Sequence, residues 1–154
     1  MLFAAVTHKR RLAIQDDEGE HIMAVYVEPD ANGFEGADLS GLQALFVTNL
    51  RGTSFKGATL YWANLSGADF SGCNFEGANL AGASMQGGVF VGANFRNARL
   101  GLDNLGGSTK LQGADLTDAD LAGADLKGAE YDAKTKFSQG LDPQSAGMVE
   151  RHAT

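Results

Sequence analysis

Between Phe34 and Tyr131 a large apolar residue returns at almost every fifth position: Phe34, Leu39, Leu45, Leu50, Phe55, Leu60, Leu65, Phe70, Phe75, Leu80, Met85, Phe90, Phe95, Leu100, Leu105, Leu111, Leu116, Leu121, Leu126 and Tyr131. The step lengthens to six only from Leu39 to Leu45 and from Leu105 to Leu111, and each exception reads as a one-residue insertion. A period of five fits neither a helix, at about 3.6, nor an ordinary strand, at about 2. A unit this short cannot bury its own apolar residue, so the repeats must stack on one another to make a core.

Two residues before most centres stands Ala, as at Ala58, Ala63, Ala78, Ala93 and Ala114, with Cys73 and Gly88 among the replacements. Asn or Asp often lies between the small and the large residue, and Gly closes many repeats. In a helix each such glycine costs about 1 kcal/mol relative to Ala. Runs such as Ala37-Asp38-Leu39-Ser40-Gly41, Ala63-Asn64-Leu65-Ser66-Gly67 and Ala68-Asp69-Phe70-Ser71-Gly72 show the unit intact.

With these runs the chain resembles the pentapeptide-repeat family, whose motif A(D/N)LXX it matches through most of positions 34–131. The resemblance implies an all-β fold, a right-handed parallel quadrilateral β-helix, in which each repeat forms one side and four repeats complete a coil. Central and small residues then point inward and the other three outward. A coil of twenty residues stacks Leu50, Phe70 and Phe90 in one column and Phe55, Phe75 and Phe95 in the next. Leu60, Leu80 and Leu100 form the third column, and Leu65, Met85 and Leu105 the fourth. Five coils at the inter-strand spacing give a rod of about 24 Å.

The two ends of such a stack expose backbone groups and need covering. Residues 1–33 lack the repeat and read as a short N-terminal β capping element, with strands at Leu2–Val6, Arg10–Ile14 and Ile22–Val27 and a turn over Asp16–Glu20. The repeat domain spans 34–131. Residues 132–154 read as a C-terminal cap and tail, with Phe137 plugging the end and 144–154 loose or helical.

No catalytic residue, cofactor site or metal site is assigned. His8, His21 and His152 lie outside the repeats without a Cys or paired carboxylate at ligand spacing, and the glycines lack the strand-to-helix context of a phosphate loop. Cys73 is the single cysteine and reads as a small inward residue. No apolar run approaches the length of a membrane span, and the order of the N-terminal apolar and basic residues is wrong for a signal peptide, so the expected compartment is the cytoplasm.

Charge suggests one function. Some pentapeptide-repeat proteins protect DNA gyrase by imitating duplex DNA, and the resemblance implies a densely negative rod. Residues 34–131 carry ten acids and six bases, a net of four negative. A DNA duplex of equal length would carry about 14 charges. The whole excess lies in residues 112–131. There, twenty-residue stacking places Asp120 beside Arg99 and Glu130 beside Lys110, leaving Asp115, Asp118 and Asp125 as an uncompensated candidate DNA-mimic patch.

A second feature suggests protein contact. Tyr61 and Trp62 fall at outward positions, and stacking aligns Trp62 with Leu102 across Gly82, with Leu42 near the same corner. Phe46 and Val47 also read as outward. Exposed apolar clusters mark interfaces, although the N-terminal element folding over this corner would also account for it. The expectation is a non-enzymatic, rigid β-helical scaffold for an unidentified protein partner; the alternative is a DNA-mimicking modulator of DNA gyrase. A net charge of 7 negative argues against binding nucleic acid or an anionic membrane directly. A homodimer is left open.

Overall fold

The structure is a computed structural model that describes residues 10–15, 21–27, 32–43 and 50–152. From Phe34 onward the described backbone turns a corner at each repeat. The carbonyl of the central apolar residue accepts the N–H three residues further on, as from Ala58 to Phe55 (2.9 Å), Ala63 to Leu60 (3.0 Å) and Ala83 to Leu80 (3.0 Å). The third residue of each turn has positive φ, which glycine adopts most readily, so Gly57 (64°), Gly72 (67°) and Gly87 (63°) stand there.

Where Asn or Asp stands before a centre, it braces the next corner. Its side-chain oxygen accepts the N–H two residues on: Asp69 from Ser71 (2.9 Å), Asn74 from Glu76 (3.0 Å), Asn94 from Arg96 (3.0 Å) and Asp120 from Ala122 (3.0 Å). This local bond explains why these short polar side chains recur. Side-chain bonds along the stack also form, from Asn94 to Asn74 (3.1 Å) and from Asn64 to Gln43 (3.2 Å).

Single-residue parallel bridges join each side to those above and below it, in four ladders. They run Ser54, Asn74, Asn94, Asp120; Asp38, Thr59, Asn79, Arg99, Asp125; Gln43, Asn64, Ser84, Lys110, Glu130; and Asp69, Val89, Asp115, Lys136. The small and large apolar residues flanking each rung face inward and make one continuous core. Phe34, Phe55, Phe75 and Phe95 stack at centroid separations of 5.5, 5.0 and 4.9 Å, and Phe70 lies parallel to Phe90 at 5.3 Å. These spacings follow the inter-strand distance, so backbone pairing and ring stacking are satisfied together. Cys73 sits in a small inward slot, its thiol donating to the Leu50 carbonyl at 2.9 Å, and burial pushes its pKa up to about 11.

The register departs from a uniform twenty-residue coil at both insertions. Ser84 pairs with Lys110 and Arg99 with Asp125, an offset of 26 where twenty and twenty-one were expected. Leu111, not Leu105, follows Met85 in the interior, and Leu105 stands 80% exposed. The reason is visible in the residues: a centre at Leu105 would turn Asp103 into an inward slot, and an unpaired carboxylate in an apolar core is costly. The chain instead places Thr109 there and throws residues 102–107 out as a loop. At the first insertion Gln43 pairs with Asn64, and Leu42 takes the inward slot at 1% exposure. Leu42 therefore belongs to the core and not to a surface patch.

Outside the repeats, β1 (Arg10–Gln15) and β2 (His21–Val27) form an antiparallel hairpin with an irregularity at Ile14/Gln15. The expected strand at 2–6, the turn at 16–20 and the residues Phe46 and Val47 lie outside the described residues. At the other end β3 (Glu130–Tyr131) pairs in parallel with β4 (Val149–Glu150). Residues 144–150 are thus a turn and a strand, where a loose or helical tail was expected. Phe137 is partly buried against the core and meets Tyr131 edge-on at 5.7 Å.

Because Phe75 is buried between two parallel rings, Phe75→Ala is expected to cost about 3–5 kcal/mol of stability, as read by denaturant unfolding.

Candidate functional site

Among the described residues, three that are not glycine occupy the positive-φ corner slot: Trp62 (56°), Asn97 (56°) and Asp118 (57°). Asn and Asp tolerate that conformation; a bulky aromatic residue does not, and its presence marks a site held in place by its surroundings. Trp62 is 52% exposed and stacks on Tyr61 at a centroid distance of 5.1 Å. Its indole crosses the coil below over Gly82, where a Cβ would lie 2.6 Å from Nε1. Beyond Gly82 the indole N–H donates to Asp103 Oδ2 at 2.6 Å.

Asp103 belongs to the loop that the sequence period conceals. Leu102 and Ser108 pair in antiparallel fashion at its base, and the Asp103 N–H donates to the Gly107 carbonyl at 2.7 Å. The other carboxylate oxygen accepts the N–H groups of Leu105 and Gly107, each at 2.7 Å. The indole bond, followed by these backbone bonds, holds the Asp103 carboxyl below its ordinary pKa. Leu102, 43% exposed, lies over Gly128, where a Cβ would come 2.6 Å from its Cγ. Tyr61, Trp62 and Leu102 therefore share a corner as expected, while Leu42 is absent from it. Leu105 and Asp103 are the members that repeat counting missed, and the acidic residue two before Leu105, at a place reserved for Ala, is the signal that reveals them.

The shift in register moves Asp120 and Asp125, and the chain past Tyr131 covers Asp115. Asp115 is not uncompensated: Lys136 Nζ lies 3.0 Å from Oδ2, and Thr117 donates its hydroxyl at 2.6 Å. Those two bonds, the Thr117 hydroxyl first, keep the Asp115 carboxyl below the usual range. Asp120 sits beside Asn94 and pairs with Arg96 at 3.2 Å, not with Arg99. Asp125 is the rung beside Arg99, and Glu130 stacks beside Lys110 as expected while also meeting Arg151 at 3.5 Å. Arg51–Asp69 (2.8 Å) and Lys56–Glu76 (3.2 Å) pair the acids of the earlier coils. Asp118 and Asp125 are exposed and have no ion pair among the described residues. Also among the described residues, no group of three His, Cys, Asp or Glu is placed to hold a metal ion, and no helix is long and apolar enough to cross a membrane.

The sequence matches the model for pentapeptide repeats, in eight copies, over residues 48–72, 73–101 and 107–130. The chain belongs to the pentapeptide-repeat family. The matched stretches break between 101 and 107, where the loop leaves the coil. Among solved structures of the family, a pentapeptide repeat protein from Nostoc PCC 7120, alr5209, is 30% identical, with 74% of this chain and 84% of that one covered and a TM-score of 0.40. HetL, a pentapeptide repeat protein involved in heterocyst differentiation regulation from Nostoc sp. strain PCC 7120, is 28% identical over 60% of this chain and 46% of its own, with a TM-score of 0.45. QnrB1, a plasmid-mediated fluoroquinolone resistance protein, is 18% identical over 77% and 57%, with a TM-score of 0.31. A search of curated proteins finds no match.

The positive φ of Trp62 reverses the usual ranking of small substitutes. Trp62→Gly is expected to be more stable than Trp62→Ala by about 1 kcal/mol, measured by denaturant unfolding of the two variants; equal stability would exclude backbone strain at this corner.

Proposed function

We propose that this pentapeptide-repeat protein is a non-enzymatic, rigid interaction module whose contact surface is the corner of Tyr61, Trp62 and Leu102, extended by Leu105. The proposal takes it as a rod of about five coils, its N-terminal hairpin covering one end, acting in the cytoplasm on a protein partner. The observation that carries the reading is Trp62: a half-exposed indole in a slot where glycine is the unstrained choice, beside two exposed leucines. Among the described residues, the other positive-φ corners are finished with Gly, Asn or Asp. Rigid aromatic and aliphatic side chains clustered on a fixed backbone lose little entropy on binding, which is how a few residues come to dominate an interface.

Leu102 and Leu105 lie outside the stacked core, so serine at both positions should leave the melting transition in place. The experiment is capture by immobilised protein from a lysate of its own source. A protein retained by the wild type and reduced about tenfold by Leu102→Ser with Leu105→Ser supports the reading; an identical retained set overturns it.

The charge pattern argues against a DNA mimic acting on gyrase, since five of the ten repeat acids are ion-paired. Purified protein is expected to leave gyrase supercoiling unchanged, with or without a fluoroquinolone. Protection that disappears when Asp118 and Asp125 become Asn would reverse this ranking.

A further inference from the structure

We infer that Asp103 is the positioning residue of this corner, a latch whose single carboxylate folds the 102–107 loop with one oxygen and holds Trp62 across Gly82 with the other. The two oxygens divide the work: Oδ1 takes the N–H groups of Leu105 and Gly107, and Oδ2 takes the indole N–H from a residue 41 positions away. Among the described residues, that indole bond is the only hydrogen bond between residues 102–107 and the coils. The remaining bonds of the loop close on itself, and Leu102 adds only apolar contact over Gly128.

Two glycines clear the space the latch needs. A Cβ at Gly82 would lie 3.0 Å from Asp103 Oδ2, and one at Gly107 would lie 3.0 Å from Asp103 Cγ. The coil turn imposes the positive φ at Trp62, and from that corner slot the indole reaches Asp103. Loop and indole are therefore set together, and Leu102 and Leu105 are presented on a fixed frame. The functional consequence rests on the proposed contact surface; the latch itself is a property of the fold and is tested without a partner.

Trp62 is the only tryptophan, so its emission reports the latch from one side, and amide hydrogen exchange at Leu105 and Gly107 reports it from the other. Trp62→Phe keeps an aromatic face but removes the indole N–H together with the pyrrole ring that reaches across Gly82; it is expected to speed exchange at both amides about tenfold or more. Asp103→Ala is expected to shift Trp62 emission to the red, and Asp103→Asn, whose single amide oxygen can serve the loop N–H groups or the indole but not both, to fall between Asp103→Ala and the wild type. A loop held only by its own turn would respond to Asp103→Ala at the amides and ignore Trp62→Phe. Wild-type exchange in Trp62→Phe, or unchanged emission in Asp103→Ala, overturns the inference, with the coil melting transition confirming that each variant is folded. If the latch responds and no protein is retained at the corner, the contact reading fails and the latch stands.

Discussion

Every departure from regularity in this fold traces to the narrowness of its interior. Each five-residue side sends two side chains inward, one small and one large, into a core one residue wide that the next coil must match. There is no second layer in which a misplaced polar group finds a partner, so an inward carboxylate or amide cannot be absorbed. The backbone therefore yields before the core does. From Asp38 to Gln43 the five-residue register runs on in step, so that Leu42 and not Gln43 faces inward, and at Asp103 six residues leave the coil so that Thr109 takes the inward slot. Thr109 is accepted because its hydroxyl is satisfied, lying 2.9 Å from the Leu80 carbonyl and taking the Gly82 N–H at 3.2 Å.

Most of the architecture was legible because the period carries it. The columns of Phe55, Phe75 and Phe95, of Phe70 and Phe90, and of Leu60, Leu80 and Leu100 could be written down by counting. Counting failed where it tracked only the large residue. Leu105 kept the period to within one residue, yet the position two before it held Asp103, and the small slot had the veto. Every cross-coil pair that spans residues 102–107 shifted as a result, which is why Asp120 sits beside Asn94 and meets Arg96 instead of Arg99, while Lys136 faces Asp115 because the coil continues past Tyr131. The Trp62–Asp103 bond was beyond reach of the sequence because it depends on that shift and on the absence of a side chain at Gly82.

The loop at 102–107 leaves the rod undisturbed. Before it the rungs from Ser54 to Asn74 and from Asn74 to Asn94 step by twenty, and after it Lys110 to Glu130 steps by twenty again. A corner is the one place where added chain does not change the phase of the coils beyond it, since the excursion begins and ends at the same vertex. Stability resides in the stacked columns and individuality in the corners, and the two are coupled here through one carboxylate.

The bond that an Asn or Asp before a centre adds at the next corner uses a side-chain oxygen and is indifferent to the group's net charge. Asp69 and Asn74, or Asp120 and Asn94, make the same contact with the N–H two residues on. Asn and Asp are thus interchangeable parts as far as the coil is concerned. The electrostatic potential of the rod can be rewritten one position at a time without touching its shape, so in a protein of this kind charge and architecture are independent variables.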